Sequence, residues 1–455
     1  MKKDFIEYIK NEFWFSDEEL KKFEDSLNTP LKKSIRINTN KISIEDFKKR
    51  ALKNNWTLTP TNLWKNVFYI DREDAKKLAL WNTLEHIAGY FYVQEVAASS
   101  SPFYMSEDKI DNWEYLILDM SASPGGKTTQ LAEYYPNSLI VANELDKQRL
   151  KGLFSNLDRM GALNTVVTNY DWRFFKNIPE IFDKILLDAP CSWEGTAFKT
   201  DEALKYWNLK NIKNVAKLQY KLLESAIIAC KNGWEIVYST CTLNKFENEK
   251  VIQKALEKYS EYIEVIPLWE DYKYKRNWPH LNFTGWFFVA KIKKIKSFEE
   301  KKEIKKVKQN IEKLSSTDRK KVEKFFENFW FDIWKYNLYH YKWEVQIIKK
   351  SLEKIWDKLF LYKIWVNIWE IKDWKFEPNF YAGTFEKFTK NILEINKEEL
   401  DKLFSWYELE KCRDVLLKHL TDNYYQIICE WIEAWLVKAK NGKIKSLIPT
   451  KLMRN

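Results

Sequence analysis

Leu116-Ile117-Leu118-Asp119-Met120-Ser121-Ala122-Ser123-Pro124-Gly125-Gly126-Lys127-Thr128-Thr129 is the stretch that decides the fold. An apolar run ends in an acid, enters a loop of small residues and continues into a helix, an order that aims backbone N–H groups at an anionic or carboxylate-bearing ligand. Gly125-Gly126-Lys127-Thr128 invites comparison with a triphosphate-binding loop. That motif requires glycine five residues before Gly126, where Ser121 stands. The phosphate cradle is incomplete, and a triphosphatase is set aside.

Downstream, Ser138-Leu139-Ile140-Val141-Ala142-Asn143-Glu144 ends in a carboxylate, the group with which such sheets hold a ribose diol at the end of the second strand. Thr165-Val166-Val167-Thr168-Asn169-Tyr170 is the next strand candidate and leads into Asp171. Two further runs, Ile185-Leu186-Leu187-Asp188-Ala189-Pro190-Cys191-Ser192 and Ile236-Val237-Tyr238-Ser239-Thr240-Cys241-Thr242, read as buried parallel strands. Each delivers a thiol to the carboxyl edge of the sheet, where open α/β folds bind ligands. A lone buried Cys is ordinarily a small core hydrophobe. Here two of five cysteines follow strands, one after Asp-Ala-Pro and one after Ser-Thr, which points to a nucleophile. The fold class is α/β, with acids recurring at successive strand ends: Asp119, Glu144, Asp171 and Asp188.

These residues resemble the RNA cytosine-5 methyltransferases that use S-adenosylmethionine and two cysteines, most closely the bacterial 16S ribosomal RNA type. The resemblance rests on the loop Ser121 to Thr128, on Asp188-Ala189-Pro190-Cys191, and on Ser239-Thr240-Cys241-Thr242 followed by Glu247-Asn248-Glu249. Ser34-Ile35-Arg36-Ile37-Asn38-Thr39 looks like the family's Arg-x-Asn segment, and Gly89 to Glu95 like the stretch leading into its core. It implies a Rossmann-like class I methyltransferase core, with S-adenosylmethionine held by Ser121, Ala122, Ser123, Pro124, Gly125, Gly126, Lys127, Glu144, Asp171 and Asp188. It also implies Cys241 as the thiolate that adds to C6 of cytosine, Cys191 as the group assisting release of the methylated base, and Asp188 as a hydrogen-bond partner of the ring. A carboxyl kept protonated or proton-sharing by burial suits that last role, and Lys127 is a candidate cation beside the thiols. Transfer RNA is an alternative substrate, and a catalytically silent ribosome-assembly factor is the reading from another class. Two retained thiols and Asp188 argue against the latter, because a binding module needs neither thiol.

A net charge of +11 suits an RNA partner, since cationic surface displaces phosphate counterions. Four His and the absence of any Cys-x-x-Cys pair argue against a zinc site. No apolar run reaches the roughly 18 residues of a membrane span, and the Met1–Glu7 start, broken by acids, does not read as a signal peptide. Five cysteines suit a reducing cytoplasm, and a monomer is the default. The length divides into an N-terminal helical, RNA-binding segment over 1–111, the methyltransferase domain over 112–295, a charged linker over 296–317 and a C-terminal region over 318–455. The stretches Leu361 to Pro378 and Gly442 to Pro449 resemble the family's PUA-like, β-rich RNA-binding domain.

The chain has 10 Gly and 22 Trp, where ordinary usage predicts about 32 Gly. Trp172, Trp193, Trp234, Trp286 and Trp374 stand where the family typically has Gly, several of them at turns. The expectation is a gene whose UGA codons, meant as Gly, have been read as Trp, with Trp207, Trp278 and Trp435 genuine.

Overall fold

Strict alternation is missing from the apolar runs, as it must be in strands covered on both faces. Leu116–Asp119 (β1), Leu139–Asn143 (β2), Thr165–Thr168 (β3), Phe182–Asp188 (β4) and Cys230–Thr240 (β5) are parallel neighbours in the order β5-β4-β1-β2-β3. Ile263–Ile266 (β6), Tyr274–Asn277 (β7) and Phe287–Lys294 (β8) follow, and β8 adds antiparallel to β5, with β6 and β7 antiparallel to β8. The structure is a computed structural model. It describes residues 3–61, 64–106, 110–192, 194, 204, 207–268, 272–282, 284–299, 303–327, 332–342, 344–364, 367–372, 375–378, 390–404, 409–410, 423–430, 432–440 and 443–447.

Successive residues of each parallel strand point to opposite faces. Leu118, Val166, Ile185 and Tyr238 bury against Leu222, Leu223 and Ile252 of the helices Leu209–Ala229 and Glu249–Tyr259. Ile117, Ile140, Leu186 and Val237 bury on the other face against Leu131, Leu150, Leu153 and Leu157 of Gly126–Tyr134 and Lys147–Met160. This is the α/β class that the strand pattern implied, with the Rossmann-like core that the family resemblance implied. No helix among the described residues is long and apolar enough to cross a membrane.

The N-terminal segment is helical only in part. Lys3–Phe13 and Asp17–Leu27 are helices, the second capped by Ser16, whose hydroxyl accepts the Glu19 N–H at 3.2 Å. Beyond them lies a four-stranded antiparallel sheet in the order Trp56–Pro60, Val67–Arg72, Ser34–Ile37 and Phe91–Val93, which the helical reading did not contain. Short β-branched and aromatic runs such as Ser34-Ile35-Arg36-Ile37 suit a pleated surface. The Arg-x-Asn segment docks this sheet onto the core. Buried Arg36 pairs with Glu133 and donates to Gln94 Oε1 at 2.9 Å and Thr129 Oγ1 at 2.8 Å. Asn38 donates to the carbonyls of Gly89 and Met160, each at 2.9 Å.

The charged stretch after β8 is tied down rather than free. Phe298 stacks on Tyr262 at 4.5 Å, Gln309 donates to the carbonyls of Trp356 and Leu359 at 2.6 Å, and Ile311 is buried. Among the described residues the C-terminal region is β-rich, with two five-stranded sheets, one of which takes in Glu312–Lys313 from the charged stretch. Lys363–Ile364 (β9) leaves that region and pairs antiparallel with β3, extending the central sheet. Leu361 to Pro378 is therefore divided between two sheets, because a two-residue pairing carries no periodicity by which it could be recognised. Leu393, Leu400, Ile427 and Val437 pack on Ile35, Phe47 and Phe91, so the last sheet closes against the N-terminal one.

The tryptophans fall into two kinds. Trp207 donates its indole N–H to Glu194 at 2.7 Å, and Trp278 packs edge-on against Phe13 at 4.9 Å. The indole nitrogens of Trp172 and Trp286 are buried with no hydrogen-bond partner among the described residues, although Trp286 stacks on Phe5 at 5.7 Å. Trp234 is half-buried, edge-on to Tyr115. Trp193, Trp374 and the side chain of Trp435 lie outside the described residues. Trp14, which the reading of the sequence passed over, ends the helix Lys3–Phe13 at φ 53° with its side chain 87% exposed, while the Phe15 N–H reaches back to the Lys10 carbonyl at 3.2 Å. That is the helix stop at which glycine is the usual residue.

Candidate active site

The five parallel strands end at one edge, and Asp119, residues 121–127, Glu144, Asp171, Asp188, Cys191 and Cys241 lie along it. On the cofactor side, β1 delivers Asp119, and the loop 121–125 enters the helix Gly126–Tyr134 through Gly125 at φ 106°. A side chain at Gly125 would be strained by that backbone and would press on Leu153, and one at Gly126 would crowd Tyr92 at 3.2 Å. Asp119 is held by the Thr128 hydroxyl at 2.7 Å and the Ser121 N–H at 3.3 Å, and burial pushes its carboxyl up to about 7. Ser123 accepts Arg149 at its carbonyl (2.8 Å), Asn156 donates to the Pro124 carbonyl (2.9 Å), and the Ala122 N–H donates to the Asn143 carbonyl (2.8 Å).

Glu144 is buried at the end of β2. Its Oε1 accepts the Asp146 N–H at 2.9 Å, while Oε2 lies 3.5 Å from Arg149 and has no hydrogen-bond partner among the described residues; Ser121 Oγ is likewise buried without one among them. A buried acceptor and a buried hydroxyl left unsatisfied beside a glycine loop suit a ligand that brings hydroxyl and carboxylate groups of its own. Asp171 is placed differently. It caps the short turn Trp172–Asn177 and pairs with Arg173 (2.6 Å), whose hydrogen bond holds the carboxyl below its usual range. Any ligand contact there would share a carboxylate already engaged.

On the thiol side, β4 and β5 pair with Asp188 opposite Ser239. Cys191 and Cys241 therefore leave the sheet at nearly the same level, and their sulfurs lie 2.9 Å apart, both half-buried. Asp188 sits below them, accepting the Ser239 hydroxyl on Oδ1 at 2.8 Å and the Lys127 ammonium on Oδ2 at 2.7 Å. Asp188 is thus engaged as the acceptor of a hydroxyl and an ammonium. Burial works against the Lys127 charge, but Asp188, Cys241 and Asp119 outweigh it and raise the amine above its ordinary value. Lys127 belongs to the cofactor-side helix yet pairs with Asp188 on the thiol side.

The sequence reading did not single out Glu194, Gln219 or Asn244, and gave no role to Glu247. Glu247 Oε2 accepts the Ser192 N–H at 3.0 Å and Gln219 Nε2 at 2.8 Å, and Oε1 accepts Asn244 Nδ2 at 2.7 Å. Glu194 accepts the Thr242 hydroxyl, the N–H groups of Leu243 and Asn244 at 3.2 and 3.3 Å, and Asn244 Nδ2 at 3.0 Å. The only available signal was Glu247 in the acidic stretch after Cys241. Tyr8 and Lys245 add an N-terminal brace, with the Lys245 N–H on Tyr8 Oη at 3.3 Å and its ammonium on the Glu12 carbonyl at 2.8 Å.

Residues 109–293 match the model of the 16S rRNA methyltransferase RsmB/F, and residues 1–96 that of the N-terminal domain of 16S rRNA methyltransferase RsmF. A relative from Photobacterium profundum, Ribosomal RNA small subunit methyltransferase F, is 41% identical over 305 residues, 64% of this chain and 63% of its own. The chain thus spans less than two thirds of that relative's length. The crystal structure of a methyltransferase homolog protein from Pyrococcus horikoshii is 29% identical with a TM-score of 0.53, covering 65% of this chain and 100% of that one. NSun6 from the same organism, crystallised with SFG, shares the fold at 24% identity and TM-score 0.56, over 65% and 99% of the two chains. Across its N-terminal segment and its α/β core, this chain belongs to the 16S rRNA methyltransferase RsmB/F family.

Proposed function

We propose that this protein transfers a methyl group from S-adenosylmethionine to C5 of a cytosine in RNA, with small-subunit ribosomal RNA in the cytoplasm as its substrate. The observation that carries this reading is the pair of thiols 2.9 Å apart, above an Asp188–Lys127 pair, on the same sheet edge as the glycine loop. C5 of cytosine is a poor nucleophile. The Cys241 thiolate adds to C6, forming a C–S bond and pushing an electron pair onto C5. When bound, S-adenosylmethionine would supply an electrophilic methyl group to C5, its sulfonium sulfur keeping the electron pair of the broken S–CH3 bond and leaving as a neutral thioether.

Cys191 then accepts the C5 proton, and the C6–S bond breaks with its electron pair returning to Cys241. Lys127 is the cation in electrostatic reach of Cys241, and it bridges to Asp188 beneath the base. Glu144 Oε2 and Ser121 Oγ are the unsatisfied groups that would hold the cofactor's ribose and amino-acid ends. The target base must leave its stack to reach this edge, so loops and opened stems are the expected sites.

The test incubates the full chain with S-adenosylmethionine and an unmodified 16S ribosomal RNA transcript. The Cys191→Ala variant is expected to give a protein–RNA band that survives denaturing electrophoresis, and Cys191→Ala with Cys241→Ala to give none. Absence of 5-methylcytosine from every RNA in a ribosomal and transfer RNA panel, with cofactor binding demonstrated, would refute the reading.

A further inference from the structure

Cys191 and Cys241 lie 50 residues apart in the chain, and two buried glutamates bind their loops to each other reciprocally. Glu194, from the Cys191 loop, accepts the donors of 242–244; Glu247, from the Cys241 loop, accepts the N–H of Ser192. Asn244 joins the two, donating to Glu194 at 3.0 Å and to Glu247 at 2.7 Å. Gln219 completes the grip on the first loop, reaching Glu247 at 2.8 Å and the Pro190 carbonyl at 2.9 Å. Both carboxylates are fully buried, and among the described residues neither pairs with Lys or Arg. Burial and the neighbouring Glu194 push the Glu247 carboxyl up to about 7, the mark of a site kept despite its electrostatic cost.

The two loops are not equally dependent on this clasp. Cys241 directly follows β5, whose register with β4 and β8 runs to Ser239 and Thr240. Cys191 lies three residues past β4, beyond a proline, where Ser192 and Pro190 are held through Glu247 and Gln219. We propose that Glu247 is a positioning residue that sets Cys191 against Cys241, so that it governs release of the methylated base and not formation of the covalent adduct. This rests on the covalent mechanism proposed above.

The amide of Glu247→Gln presents one acceptor where the carboxylate presents two, so one of the two sets of donors loses its partner. In single turnovers of the full chain with S-adenosylmethionine and the 16S transcript, that variant is expected to form adduct within about twofold of wild type. Release is expected to slow about ten- to a hundredfold, the cost of misplacing a reacting group by about 1 Å. Gln219→Met is expected to act in the same direction more weakly, and it carries the test if the first variant does not fold. Adduct formation and release falling together, or neither changing, overturns the proposal.

A second measurement does not depend on RNA. Diamide takes two hydrogens from the thiol pair to leave a Cys191–Cys241 disulfide and the reduced hydrazine. That reaction is expected to be about tenfold slower in Glu247→Gln, and an unchanged rate overturns the clasp. If wild type methylates no RNA while oxidation still responds to Glu247, the functional reading fails and the clasp stands as a device for holding the thiols together.

Discussion

The cofactor side and the thiol side of the sheet edge are built in opposite ways. The first is centred on one continuous stretch, strand, loop and helix, from Leu116 to Tyr134, with glycine where the backbone turns left-handed and Glu144 added from the end of the neighbouring strand. The second is assembled from two loops brought together by strand register and locked by groups from a third place, the helix carrying Gln219. A local site tolerates change elsewhere, whereas a site assembled from distant segments fails when any one of its ties is cut. Lys127 is the one side chain singled out above that spans both sides.

The largest expected effect breaks the support of the cofactor side. Arg36→Met leaves Glu133 buried without its cation and should cost about 3–5 kcal/mol of unfolding free energy, read by chemical denaturation, with S-adenosylmethionine binding lost before thiol oxidation by diamide is affected. Next comes Asp119, whose carboxyl burial pushes up to about 7. Its folded-state pKa lies above the unfolded one, so its contribution to stability is full below about pH 4 and is lost as the pH rises to about 7. Asp119→Asn should remove that slope, on the order of 4 kcal/mol between those limits, in melts compared pH by pH. Glu247 contributes a slope of the same sign that Asp119→Asn leaves in place.

Lys127→Met sharpens the comparison, because it should hurt the thiol side from a cofactor-side helix. In a Cys191→Ala background, alkylation of Cys241 by iodoacetamide at neutral pH is expected to slow about tenfold once the neighbouring ammonium is gone. An unchanged rate would mean that Lys127 serves the cofactor side alone. The smallest effect lies outside both sides. Trp14→Gly removes a bulky residue from a left-handed helix stop and should stabilise the chain by about 1 kcal/mol, seen as a raised melting temperature. UGA at this position and at Trp172, Trp193, Trp234, Trp286 and Trp374 in the gene is the matching expectation.

Much of the edge was legible without coordinates because its chemistry is local. An apolar run followed by Asp119 and Ser121 to Gly126 states a strand, a loop and a helix start within fourteen residues, and Glu144, Asp188, Cys191 and Cys241 each stand at or just past the end of an apolar run. The sheet hidden in the N-terminal segment was not legible, since four short strands spread over sixty residues leave no sustained period for a reader to detect. Nor was the two-residue strand Lys363–Ile364, which depends on the free edge of β3.

The sequence by itself thus determined the α/β class, the glycine loop and the two thiols at strand ends, because backbone preference and hydrophobic burial act between near neighbours. Only the tertiary structure decided that Asp188 lies opposite Ser239, that the sulfurs meet at 2.9 Å, that Lys127 crosses to Asp188, and that Glu194 and Glu247 each hold the other's loop. Those arrangements come from strand register and from hydrogen bonds closed between segments some fifty residues apart. A buried carboxylate finds its donors in space, and no local spacing along the chain encodes where they will be.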